Sequence, residues 1–220
     1  LATKLLKSEC FSEINKDYAI LSINTFTYRT MEFEFKGYFD DFFSTIRNKK
    51  VSNLILDLRN NIGGSPLNSS HLYSYLIHET SPYFAAHSEQ WIPPINPASN
   101  NFKGNLYVLV NGGSFSSTGF LCSLLKYNKI GLLVGEETGG SFICSGPPYR
   151  KIVLNNCKIK LTCPSCREET DVSGLPFGRG VIPDYIITPG IEDYFGGNDR
   201  QLEYVISLVS TAPVPGAGSQ

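Results

Sequence analysis

Three short apolar runs in this chain each break directly into a glycine-rich turn. Residues 53–58 (NLILDL) lead into RNNIGG at 59–64, residues 106–110 (LYVLV) into NGG at 111–113, and residues 132–135 (LLVG) into EETGG at 136–140. Runs of this length without polar alternation read as strands covered on both faces, which places them in a parallel sheet under helices. The intervening segments supply the helices. Residues 33–48 carry Phe35, Phe39, Phe42, Phe43 and Ile46 at helical spacing. A second helix, capped by Ser65 or Asn68, would bury Leu72, Tyr73, Leu76 and Ile77, and a third runs to about Tyr127. A strand is expected at 18–24, a hairpin of strands 151–154 and 158–163 turning on Asn155 and Asn156, and a closing helix near 199–209. Alternation of this kind predicts an α/β domain with a mostly parallel sheet flanked by helices.

Residues 1–210 are expected to form one core, preceded by a region upstream of Leu1, with 211–220 as a disordered tail or linker. Hydrophobic residues make up 41% and charged residues 18%, a globular balance. Nineteen Lys and Arg against twenty Asp and Glu give a net charge of −1 with no basic stripe of the kind that tracks phosphates, so nucleic acid is not an expected partner. No apolar run approaches the ~18 residues needed to cross a bilayer. The six cysteines, at 10, 122, 144, 157, 163 and 166, are too uneven for a small-domain disulfide framework. Cys163 and Cys166 form a single CxxC pair, which falls short of a four-ligand zinc site, so neither metal nor cofactor is expected. Cys122 lies on the apolar side of a helix and reads as core.

Three glycine-rich turns at the carboxyl ends of parallel strands converge on the sheet edge where α/β proteins bind ligands, and helix N-termini point backbone N–H groups into that crevice. Residues 81–104, between the second helix and the next strand, form a long stretch rich in Pro, Asn and Ser that would serve as a lid or substrate wall.

Four ordered motifs carry a resemblance. LILDLRNNIGG at 54–64 resembles the LxLDLRxNxGG segment of the C-terminal processing (tail-specific) serine peptidases, and VLVNGGSFSS at 108–117 resembles their strand-to-nucleophile turn. LVGEETGG at 133–140 and GRGVIPD at 178–184 resemble their LVGExTxG and GxGVxPD stretches. The resemblance implies the spiral ββα core shared with Clp-type peptidases and crotonases, hydrolysis of peptide or protein substrates through an acyl-enzyme, and a bacterial periplasmic or cell-envelope location. It also implies Ser116 as nucleophile, with Ser114, Ser117 and Thr118 competing nearby. The backbone N–H groups of Gly63, Gly64 and Ser117 are the implied oxyanion hole. Asp57 and Arg59 would brace that turn.

The pattern departs at the general base. Ser141 stands in GGSF at 139–142, where many members carry a lysine. The tricorn-like branch instead uses a histidine from an upstream GDGHT-like segment, which these residues lack. His71, His78 and His87 are the internal substitutes, the first two on a helical face and the last in the long loop. Glu136 and Glu137 could orient an imidazole or bind a substrate amine, and Phe142 with residues 185–188 could wall an apolar side chain. Two rivals share this fold: a catalytically degenerate binding module for peptides or apolar ligands, and a crotonase-like acyl-CoA enzyme.

Overall fold

The computed structural model describes residues 10–27 and 34–211. Its centre is a six-stranded sheet in the order β1 (Cys10–Ile14), β2 (Ala19–Ile23), β3 (Asn53–Asp57), β4 (Asn105–Val110), β5 (Leu132–Gly135) and β8 (Tyr185–Ile186). Within this sheet β2, β3, β4, β5 and β8 run parallel, and β1 alone is antiparallel. The helices are α1 (Phe35–Asn48), α2 (Pro66–Ser74), α3 (Ser117–Tyr127), α4 (Ile191–Gly196) and α5 (Arg200–Thr211). β6 (Ile143–Val153) and β7 (Lys160–Glu169) form a separate antiparallel ribbon.

Strand alternation divides the sheet's side chains between two cores. Leu54, Leu56, Leu106, Val108 and Leu133 join the phenylalanines of α1 and the apolar residues of α2 and α3. Ile55, Tyr107, Leu109 and Val134 face the other way and meet Val205 and Val209 of α5. Each fully buried Leu, Val or Phe contributes about 1.5–3 kcal/mol of transfer free energy, so strands buried on both sides are strongly fixed in register. Phe43 stacks on Tyr75 with ring centroids 4.4 Å apart, tying α1 to the end of α2. Cys122 is fully buried, as its helical position predicts, and burial pushes its thiol pKa up to about 12.

The predicted α/β class and its central strands match what is seen. β1 and α4 lie outside the expected list; β1 is an edge strand in which only Cys10 is fully buried, too weak a pattern to read. The ribbon is longer than expected, since Pro147, Pro148 and Pro164 argue against strands at those positions. A register shift between Gly146 and Tyr149 absorbs the first two, and pairing continues beyond. The segment 81–104 does not hang free as a lid. Tyr83 and Phe84 are buried in the core, and the N–H groups of Ala85 and Glu89 donate to the carbonyls of Glu169 and Arg167 on β7. Of the expected tail, only Thr211 falls among the described residues, where it ends α5.

Candidate active site

Because β2 to β5 are parallel, their carboxyl ends emerge together, and the turns after β3, β4 and β5 are interlocked there by backbone-directed hydrogen bonds. Buried Asn61 holds three segments: its Nδ2 donates to Ile23 O at 2.9 Å, its Oδ1 accepts from Gly63 N at 2.9 Å, and its carbonyl accepts from Phe115 N. Asn60 and Asn111 pair reciprocally, with Asn60 N donating to Asn111 Oδ1 and Asn111 Nδ2 donating to Asn60 Oδ1. The turn after β5 closes the third side, with Gly140 N donating to Ser114 O at 2.9 Å. That turn is in turn tied to the GRGVIPD segment: Thr138 N donates to Val181 O, Val181 N to Thr138 Oγ1, and Gly180 N to Glu137 Oε1. Arg179 pairs with Glu137 and lowers its pKa.

Within this frame the four neighbouring hydroxyls part company. Ser114 is buried, and its Oγ donates to Leu58 O at 2.9 Å while accepting from Asn111 N at 3.1 Å. Ser117 and Thr118 are also buried, and their hydroxyls meet no partner among the described residues. Ser116 alone is partly exposed. It stands at the N-cap position of α3 yet makes no capping hydrogen bond, so the ordinary structural role for a serine at a helix start is unfilled. Its backbone, at φ 55° and ψ −125°, lies in a region that costs a non-glycine residue about 1–3 kcal/mol. The strain is sustained by close packing on both sides. A Cβ at Gly63 would lie 2.7 Å from Ser116 Cβ, and one at Gly140 would lie 2.8 Å from Ser116 N.

The expected oxyanion donors divide. The N–H of Gly63 is taken by Asn61 Oδ1, which corrects the expectation for that residue: Gly63 matters here for its missing side chain and its φ of 91°. The N–H groups of Gly64 and Ser117 have no acceptor among the described residues. Ser117 N belongs to the first turn of α3, where unpartnered N–H groups and the helix dipole favour negative charge.

Arg59 joins the end of β3 to the start of α5. Its guanidinium donates to both Asp57 and Asp199, with ion pairs at 2.7 Å each. Burial alone would lower the Arg59 pKa, but the two carboxylates outweigh it and raise it. Burial likewise would raise the Asp199 pKa, and the hydrogen bonds and charge of Arg59 reverse that into a net lowering.

The internal base candidates are engaged elsewhere. His71 packs against Phe39 and Tyr75 on α2, and burial lowers its pKa. His78 contacts Asn101 and Lys103. His87 Nε2 lies 3.1 Å from Glu169 Oε2. Lys126 pairs with Asp184 at the far end of α3, about 15 Å along the helix from Ser116 by the rise per residue. Next to Ser141, a mostly apolar cavity of about 250 Å³ is lined by Phe142, Leu175, Pro176, Gly180, Val181 and Ile182, with Lys126 at its wall. Phe142 lines this cavity, whereas Ile186 and Thr188 line a different cleft with Gly112, Glu136 and Glu137. Cys163 and Cys166 stand three residues apart on extended β7, so their thiols project from opposite faces and do not converge on one ion.

The interlocked turns and the isolated Ser116 hydroxyl form an arrangement suited to acyl transfer. A profile of peptidase family S41 matches residues 17–185. The chain belongs to peptidase family S41. No curated protein matches it. Among solved structures, it superposes on a candidate peptidase from Parabacteroides merdae with a TM-score of 0.71 and 19% identity, covering 99% of this chain and 70% of that one. The photosystem II D1 C-terminal processing protease gives a TM-score of 0.60 at 22% identity, covering 88% of this chain and 47% of that one. Mature CPAF gives 0.67 at 17%, covering 93% and 55%. The S41 chain thus spans about half the length of these last two proteins. At such identities the likeness is one of fold, and the S41 assignment rests on the family profile. An α/β architecture with a mostly parallel sheet is common to all of them.

Proposed function

We propose that this chain carries the catalytic core of a serine peptidase that cleaves peptide bonds through an acyl-enzyme, with Ser116 as the nucleophile. One observation carries the reading: of the four hydroxyls in the turn, only Ser116 is partly exposed, strained and free of any capping role. In the first step Ser116 Oγ bonds to the substrate's carbonyl carbon while its proton passes to a general base. The N–H groups of Gly64 and Ser117 hold the resulting oxyanion. Collapse of the intermediate expels the amine, which takes up the proton, and leaves an ester on Ser116. Water then attacks that ester by the same route in reverse and releases the carboxylic acid.

With Ser141 in the lysine position and the three histidines held elsewhere, the base in this proposal is a histidine outside these 220 residues, as in the tricorn-like branch. The mostly apolar cavity next to Ser141 would take an aliphatic substrate side chain. A C-terminal processing role and a periplasmic or cell-envelope setting follow from the family resemblance. A second reading, a degenerate binding module of the same fold, draws on the same missing lysine.

Fluorophosphonate labelling and peptide hydrolysis by the full-length protein separate the two. Under the peptidase reading, the wild type labels and cleaves, and kcat/KM rises with an apparent pKa near 6.5, the value of a histidine base. Binding of peptide without labelling or cleavage would establish the second reading instead.

A further inference from the structure

The ribbon of β6 and β7 makes few of the contacts that hold the rest of the molecule. From position 147 to position 165 every residue is exposed, on both faces of a two-stranded sheet. Such a hairpin is marginal by itself in water. Yet this stretch holds Tyr149, Ile152, Val153, Leu154, Ile159 and Leu161, each between 38 and 55% exposed.

The register sorts these side chains. Ile152 is opposite Leu161 and Arg150 is opposite Cys163, so each pair shares a face. Leu154 N donates to Ile159 O, placing those two side by side at the tip. One face is therefore aliphatic from Ile152 to Ile159. The other carries Lys151 opposite Thr162 and Val153 opposite Lys160, with Lys158 in the turn. Arg150, Lys151, Lys158 and Lys160 make no ion pair among the described residues, and no acidic residue occurs between Glu137 and Glu168.

We propose that the tip of this ribbon docks on an anionic phospholipid surface, with Ile152, Leu154, Ile159 and Leu161 entering the acyl boundary and the four cations meeting the headgroups. Aliphatic side chains edged by lysines are the composition that binds an anionic interface, where each Lys or Arg adds attraction and its long stem reaches outward. A second copy of the chain fits this surface poorly, since a symmetric contact through the aliphatic face would set Arg150, which shares that face, against its own counterpart with no acid to answer it. Pro147, Pro148 and Pro164 also interrupt the hydrogen-bonding edges that strand-to-strand pairing would use. None of these tip residues takes part in the hydrogen bonds around Ser116, so the proposal stands independently of the peptidase reading.

Co-flotation of the full-length protein with phosphatidylcholine vesicles, with and without phosphatidylglycerol, tests it. The protein is expected to float with the anionic vesicles only and to be released by high salt. The triple variant Lys151→Gln, Lys158→Gln, Lys160→Gln should lower partitioning about a hundredfold, at about fivefold per charge. Ile152→Ser with Leu161→Ser should lower it at least about tenfold, with an unchanged circular dichroism melt. Thr162→Ser, on the opposite face, and Ser116→Ala should float like the wild type. Equal flotation with neutral vesicles, no flotation with anionic ones, or variants that float unchanged would overturn the proposal. So would a lipid-independent dimer abolished by Ile152→Ser with Leu161→Ser, which would assign this face to a second copy.

Discussion

The turns at the carboxyl ends of β3, β4 and β5 and the ribbon of β6 and β7 are built on opposite terms. Around Ser116, buried amides and carbonyls answer one another across three chain segments, and glycines bring backbones to distances that no side chain would tolerate. Along the ribbon's outer half, neither face of the sheet is covered. The contrast separates what folding demands from what it leaves free. A residue in the turns is constrained by its neighbours first and its chemistry second, so the one hydroxyl released from structural duty stands out. A residue at the ribbon tip has no such neighbours, and its character answers to something beyond the chain.

Substitutions at the turns should be severe, and those at the ribbon mild for the fold. The largest expected effect is from Ser116→Ala, which should reduce hydrolysis by more than about 10³-fold and abolish fluorophosphonate labelling while the melting temperature stays within a few degrees. Ser114→Ala should do the reverse, keeping the labelling but costing about 1–3 kcal/mol as Asn111 N loses its acceptor and Leu58 O keeps only Asn61 N as donor. Labelling that survives Ser116→Ala and vanishes in Ser114→Ala would shift the site to the other serine. Next comes Gly63→Ala, whose Cβ would collide with Ser116 at a φ of 91°; both activity, by about 10²-fold or more, and thermal stability should fall.

Arg59→Met should cost about 2 kcal/mol, since it leaves Asp57 and Asp199 without their shared cation. The pH dependence has a definite sign. The folded Asp199 pKa is lowered, so its contribution is fully present above the ordinary carboxylate pKa and fades as pH falls through the folded value. Acid unfolding curves of Arg59→Met and the wild type should therefore converge below about pH 4. The smallest effect is at the ribbon: Ile152→Ser and Lys160→Gln should each change stability by no more than about 0.5 kcal/mol in denaturant titrations. A loss of several kcal/mol there would mean that the ribbon supports the core after all.

The central strands and α1 to α3 were legible because residues buried on both sheet faces leave continuous apolar runs, and Phe35 to Ile46 repeat at helical spacing. The glycine turns were equally plain. The family motif favours Ser116, but residue chemistry alone does not separate it from Ser114, since both are small polar residues two positions apart whose burial and hydrogen bonds differ. Nor could the sequence show that Gly63 N is occupied, because the acceptor is an asparagine side chain folding back two residues. β1 was missed for want of buried positions, and the ribbon was underestimated because its prolines read as breaks.

Trp91 is the chain's single tryptophan. It sits on the segment 81–104 with most of its surface in water, while backbone hydrogen bonds at Ala85 and Glu89 fasten that segment to β7. Intrinsic emission excited at the indole band is therefore a local gauge of this strap, to be set beside the far-ultraviolet dichroism that follows the central sheet.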